Sequence, residues 1–203
     1  MSALADTLSR YYLFLSNIYD LTRWSFLFGR EGVLGELSPD FQPQRILEIG
    51  CGTGMNMQLL ARAYPEAHIT GIDISPDMIA VAERKLAPMA ARVTLRQMVY
   101  ERPLSPNHPF DLVLFSYSLT MMNPGWESVI QAAFDDLRDG GQVAVVDFHD
   151  SQFGFFKRWM GVNHVRMDSH LQPKLAKLFV PAVSEVKGAY GRLWTYLLFV
   201  GKK

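Results

Sequence analysis

Cysteine is almost missing. The 203 residues include one, Cys51, so no disulfide can form within the chain. A crosslinked scaffold is excluded, and a reducing, cytoplasmic setting is expected. No His or Lys flanks Cys51 to lower its pKa, which favours a small filler in a tight loop over a reactive thiol. Net charge is missing too, with 20 basic and 20 acidic side chains. Gripping nucleic acid by its phosphates needs a clustered excess of Lys and Arg, so nucleic acid is not an expected partner. No stretch approaches the roughly 20 apolar residues of a membrane span. The start of the chain shows no basic patch followed by an apolar run, as a secretory signal would. No H-x-x-x-H, C-x-x-C or comparable ligand set is present, so no metal is expected. Repeats and low-complexity tracts are absent as well.

What is there has a globular composition, 49% hydrophobic. The length suits one domain with a substantial core. Residues 1–40 read as a helical cap, and residues 41–203 as a sheet domain with an insert at about 150–180.

The densest signal is Arg45-Ile46-Leu47-Glu48-Ile49-Gly50-Cys51-Gly52-Thr53-Gly54. Ile46, Leu47 and Ile49 form the apolar run of a short buried strand. Gly50, Gly52 and Gly54 allow a tight turn with no Cβ in the way. Met55 to Tyr64 then reads as a helix, with Leu59, Leu60 and Ala63 on one side. Strand, turn and helix together bring backbone N–H groups and a helix N-terminus to a ligand. An acid, Asp73, stands about twenty positions on, at the end of a second strand from about His68. The context is that of a nucleotide-type site. A dinucleotide-binding oxidoreductase and a turn without a ligand are the alternatives.

The remaining pattern alternates β and α. Ser75 caps a helix from Pro76 to about Lys85. Strand three is expected at about Arg92–Gln97, strand four at Leu112–Phe115, a helix from Pro124 to about Leu137, a turn at Asp139-Gly140-Gly141, and strand five at Gln142–Phe148. Another helix is expected over Leu171–Phe179. Val183–Lys187 and Arg192–Val200 read as an antiparallel hairpin around Gly188 and Gly191. Ahead of all this, Ser2 to about Leu37 has helical spacing in two or three pieces, weakened at Gly29 and Gly32. It carries many aromatic rings together with Arg23 and Arg30, either of which suits a carboxylate or an anionic headgroup.

Ligands in an open α/β sheet bind at the carboxyl ends of the strands. That edge holds the run Ser116-Tyr117-Ser118-Leu119-Thr120-Met121-Met122 after strand four, and Asp147, His149 and Asp150 after strand five. Tyr117 and His149 are the candidate catalytic groups, with His164, Asp168 and His170 behind them.

Glu48-x-Gly50-x-Gly52-x-Gly54 resembles motif I of the class I methyltransferases. The resemblance implies a Rossmann-like, mostly parallel seven-stranded sheet with a C-terminal antiparallel hairpin, and S-adenosylmethionine as cofactor. Glu48, Gly50, Cys51, Gly52 and Gly54 would then lie against the methionine part, and Asp73 would hold both ribose hydroxyls. Ile74 and Met78 would flank the adenine. Met98 and Val99 stand where the family often has an acid for the adenine amine, so backbone at Gln97, Met98 and Val99 would replace it. Tyr19, Arg23, Arg30, Ser116 and Tyr117 complete the implied cofactor contacts.

Two further stretches, Tyr11-Tyr12 with Ile18–Arg30, and Asp147–Ser151 with Phe153-Gly154 and Trp159–Val165, resemble the N-methyltransferases of betaine-lipid synthesis. That resemblance implies a lipid acceptor, the amine of diacylglyceryl-homoserine. Tyr11, Tyr12, Trp24 and Tyr117 suit a growing cation by cation–π contact. The Phe153–Met160 run, with Lys157 and Arg158, suits peripheral contact with an anionic membrane or a buried helix over the sheet edge. Phosphatidylethanolamine, a quinone or another small molecule are alternative acceptors. A non-catalytic adenosyl-binding module is the alternative of another class.

Overall fold

The computed structural model describes residues 27–105 and 107–203. Tyr19 and Arg23, and most of the expected cap, lie outside the described residues.

The sheet is built from β1 (Arg45–Ile49), β2 (His68–Asp73), β3 (Val93–Gln97), β4 (Phe110–Ser116), β5 (Leu137–Asp150), β6 (Val180–Ala189) and β7 (Trp194–Lys202). Their order is β3-β2-β1-β4-β5-β7-β6. The first five pair in parallel, and β7 runs antiparallel between β5 and β6. The central strands β1, β4 and β5 read as near-continuous apolar runs because both faces are covered.

The period-two alternation of the strands divides the core into two layers. Ile46, Leu112, Leu114, Ala144, Val146 and Leu198 face one way, and Leu47, Ile49, Val113, Phe115, Val145 and Phe199 face the other. Buried residues of α1 (Arg30–Gly35), α2 (Met55–Ala63), α3 (Pro76–Leu86) and α5 (Gly154–Val162) join the first layer. Those of α4 (Trp126–Asp136) and α6 (Leu171–Leu178) join the second. Each fully buried Leu, Ile or Phe contributes about 1.5–3 kcal/mol.

Several boundaries differ from the sequence expectation. The turn expected at Asp139–Gly141 is absorbed into β5, because Gly140 donates to the Lys203 carbonyl and Lys203 to that of Gly141. The irregularity survives as a register shift between the Phe110–Leu137 and Leu112–Gln142 pairs. Helix α4 starts at Trp126, after Gly125 with φ 120°, and not at Pro124. The hairpin is longer than expected. Gly188 pairs with Thr195 inside the ladder, and the turn falls on Tyr190, Gly191 and Arg192, all with positive φ. The α1 helix begins after Gly29, whose φ of 80° no continuing helix could accept.

Candidate active site

The carboxyl ends of β1, β2 and β4 open into a cleft of about 780 Å³. The glycine turn forms its floor. Gly50 and Cys51 both donate to the Ile72 carbonyl, at 2.8 and 2.9 Å, folding the turn onto the end of β2. Gly50 has φ 76°, and a Cβ there would lie 2.5 Å from the Ser118 Cβ. At Gly52, φ 54°, a Cβ would meet nothing within 4 Å and would stand in the cleft. Gly54 does another job. It starts α2 at φ 78°, and its missing Cβ lets Leu86 of α3 approach, so it does not line the cleft.

Asp73 is anchored by the turn it faces. Its Oδ2 accepts the Gly52 N–H at 2.8 Å and its Oδ1 the Ser75 N–H at 2.9 Å. Each oxygen keeps a lone pair for a further donor. Two parallel acceptors on one rigid carboxylate match a vicinal diol.

Beside the glycine turn, Glu48 is buried. Its Oε1 accepts from Asn56 Nδ2 at 2.7 Å, and its Oε2 has no partner among the described residues. Burial pushes its carboxyl up to about 8, against the opposing Asn56 hydrogen bond and the charge of Arg30. Asn56 Oδ1 and Ser116 Oγ are also buried without partners among the described residues. All three side chains line the cleft, and Arg30 lines it with them. Buried polar groups are normally satisfied, so this cluster fits a polar ligand such as an ammonium. Cys51 lines the floor with its thiol pushed up by burial, away from reactivity.

Ile74, Met78, Met98 and Val99 line the far end, with Ile74 67% exposed. Gln97 does not line it, and the Met98 N–H is taken by the Asp73 carbonyl at 3.0 Å. Glu101 does reach the cleft.

The opposite end is walled by Tyr117, Met121, Met122, Ser128 and His164. Tyr117 has φ 55°, and its hydroxyl donates to the Phe28 carbonyl at 2.7 Å. The phenol is buried and raised by that burial, so its hydroxyl anchors the chain at residue 28. Below it, Asp147 is fully buried and accepts from Thr120 Oγ1 at 2.5 Å and from the Phe148 N–H at 2.8 Å. Burial raises Asp147 to about 6. It holds the short 3₁₀ turn Leu119–Met121, whose Met121 lines the cleft. His149 lies at the end of β5 but does not line the cleft, and burial lowers its pKa. His164, on the loop after α5, does line it. Asp168 and His170 pair with each other at 2.5 Å, and Asp150 pairs with Lys157 at 2.6 Å; none of these lines the cleft.

Sequence reasoning missed Asn56 and Ser128, and it placed Ser118, Met121 and Met122 at the ligand edge without assigning them a contact. Asn56 had a signal, since it lies in the first turn of the helix that the glycines open. Ser128 has none without the fold.

Residues 46–141 match the methyltransferase domain family. The sheet order and the C-terminal antiparallel pair are those of the class I methyltransferase fold. Trans-aconitate 2-methyltransferase from Methylobacterium nodulans is 36% identical over 103 residues, covering 51% of this chain and 38% of the relative. Malonyl-[acyl-carrier protein] O-methyltransferase from Priestia megaterium is 32% identical over 123 residues, covering 60% and 43%. The chain thus spans less than half the length of these relatives. The N-methyltransferase NodS from Bradyrhizobium japonicum, solved with S-adenosyl-L-homocysteine, superposes with a TM-score of 0.71 at 18% identity, covering 86% of this chain and 85% of NodS. The methyltransferase domain match takes in the whole glycine floor, Asp73, Ser116 and Tyr117, but neither His149 nor α5. No helix among the described residues is long and apolar enough to cross a membrane, and none of them form a metal-binding group of His, Cys, Asp or Glu.

Proposed function

We propose that the chain is an S-adenosylmethionine-dependent methyltransferase whose acceptor is the amine headgroup of a lipid of the diacylglyceryl-homoserine type. The observation that carries the donor half is the Asp73 carboxylate, fixed by the Gly52 and Ser75 amides beside an open glycine floor. The cofactor supplies a methyl group on a sulfonium, ready for in-line displacement. Asp73 accepts from the ribose diol. Gly52 leaves room for the ligand backbone. Glu48, Asn56 and Ser116 offer oxygens to the ammonium, and Arg30 offers charge to the carboxylate. Gly54 and Gln97 act at one remove, through the packing of α2 and the β2–β3 ladder.

An amine attacks only without its proton. The wall of Tyr117, Met121 and Met122 is poorly solvating and favours the neutral form. The same aromatic face suits the cation as methyls accumulate. His164, which lines the cleft, can take the released proton. Positioning supplies the rest of the rate.

The acceptor half is supported by the likeness of two stretches to betaine-lipid N-methyltransferases. A small carboxylate acceptor is the second reading, favoured by the trans-aconitate and malonyl-carrier relatives. Phosphatidylethanolamine and quinones remain in the same test. The chain is incubated with methyl-labelled S-adenosylmethionine and either a total lipid extract or trans-aconitate, and the labelled product is identified by mass. A labelled amine lipid is expected. Label on the carboxylate alone overturns the lipid acceptor. Donor binding with no transfer to anything makes the chain a non-catalytic adenosyl-binding module.

A further inference from the structure

Helix α5 carries two adjoining apolar faces, one buried and one exposed. Phe156 and Met160, one turn apart, are both 5% exposed, and Phe156 stacks on Trp194 at 5.9 Å. On the outward side Phe155, Trp159 and Val162 are 70, 53 and 76% exposed. Their i, i+4, i+7 spacing draws one stripe along the helix. Phe153 extends it and meets the Phe155 ring at 5.9 Å. Single apolar residues on a surface are ordinary, but a contiguous stripe of large ones marks a contact surface.

The charges on this helix are of one sign. Gly154–Val162 contains Lys157 and Arg158 and no acid, in a chain whose formal net charge is zero. Lys157 pairs with Asp150, while Arg158 is exposed and makes no ion pair among the described residues. The stripe also ends at the site. Two residues beyond Val162, His164 lines the cleft.

We infer that the outward face of α5 seats the chain on an anionic lipid bilayer. Phe155, Trp159 and Val162 enter the boundary between headgroups and acyl chains, and Arg158 lies at the level of the lipid phosphates. Trp suits that level because its ring is apolar and its N–H is wet. The inference deepens the proposed function and rests on it: a lipid amine beside α5 is delivered to the cleft at His164, with no need to leave the bilayer completely. A helix with this stripe on a protein partner would instead need a complementary apolar groove.

The test is flotation of the full chain with vesicles of phosphatidylglycerol and phosphatidylcholine in equal parts, which contain no primary or secondary amine. The chain is expected to float with these vesicles and to partition at least tenfold less onto phosphatidylcholine alone. The double variant Phe155→Ser, Trp159→Ser should lose at least tenfold in partition, and Arg158→Glu about fivefold or more. Both should bind S-adenosylhomocysteine as the parent does, which shows that the fold and the donor site are intact. A parent chain that does not float, or a double variant that floats equally well, overturns the inference. Requirement of the stripe for a protein complex, with no flotation, assigns the face to a protein. Because the vesicles hold no acceptor, flotation without any methylated lipid in the extract sinks the acceptor reading and leaves this surface standing. Methylation of a detergent-dispersed lipid without flotation sinks the surface alone.

Discussion

Asp73 offers the sharpest test of the donor site. Its two oxygens each accept one backbone N–H, from Gly52 at 2.8 Å and Ser75 at 2.9 Å. Replacement by Ala removes both acceptors, and with them the two charge-assisted bonds proposed to the ribose diol. Hydrogen bonds to charged groups contribute about 1.5–3 kcal/mol each. With water filling part of the gap, the loss in binding should be about 2–3 kcal/mol, or roughly 30- to 150-fold. Asn is not a mild substitute here. Whichever way its amide is turned, the NH₂ group faces either the Gly52 or the Ser75 N–H, and two donors meet. Asp73→Asn should therefore weaken binding at least as much as Asp73→Ala, and it should also lower the melting temperature. The assay is calorimetric titration with S-adenosylhomocysteine, with thermal unfolding alongside. Affinity within threefold of the parent for Asp73→Ala would refute the assignment. An Asn variant clearly better than Ala would refute the geometry.

Four other perturbations follow from the same cleft. Burial raises Glu48 from 4.5 to about 8, so the folded chain keeps a proton that the unfolded chain has lost in between. Stability should fall as pH rises from 6 to 8, a window above that of Asp147, and level off beyond; the limit is about 1.4 kcal/mol per pH unit. Glu48→Gln should remove that slope, and equal slopes in melting temperature would contradict the burial argument. Gly50→Ala places a Cβ 2.5 Å from Ser118 at φ 76°, which should cost about 2–4 kcal/mol of stability. Gly52→Ala should cost only about 1–2 kcal/mol in folding yet weaken donor binding more than tenfold, since its Cβ stands in the cleft. A reversed order, with Gly52→Ala the worse folder, would contradict it. Tyr117→Phe leaves the Phe28 carbonyl without its donor and should cost about 1 kcal/mol of stability. Turnover within threefold of the parent is expected, and a loss of a hundredfold at unchanged stability would make the hydroxyl a catalytic group.

The donor half of the site was legible because it is local. A strand, three glycines and a helix occupy twenty consecutive residues, and Asp73 ends the next strand. The apolar run of Ile46, Leu47 and Ile49 likewise foretold a strand covered on both sides. The acceptor end was not legible, because it is assembled from the end of β4, the 3₁₀ turn after it, the start of α4 and the loop after α5. Met121, Ser128 and His164 carry no pattern that marks them as neighbours. His149 looked catalytic from its position after β5, but a strand end does not say whether a side chain faces the cleft or its back.

The amino-acid sequence by itself determined the parallel sheet with its antiparallel close, the glycine floor and the acid opposite it. Each follows from short-range rules, namely side-chain period, absence of a Cβ, and a carboxylate at a strand end. Tertiary structure alone decided which protons and hydroxyls are available. Glu48 is raised because its burial excludes water from the carboxyl. The Tyr117 hydroxyl is committed to Phe28, 89 positions away. Desolvation and long-range hydrogen bonds depend on what surrounds a group in space, and chain order does not encode that neighbour by neighbour.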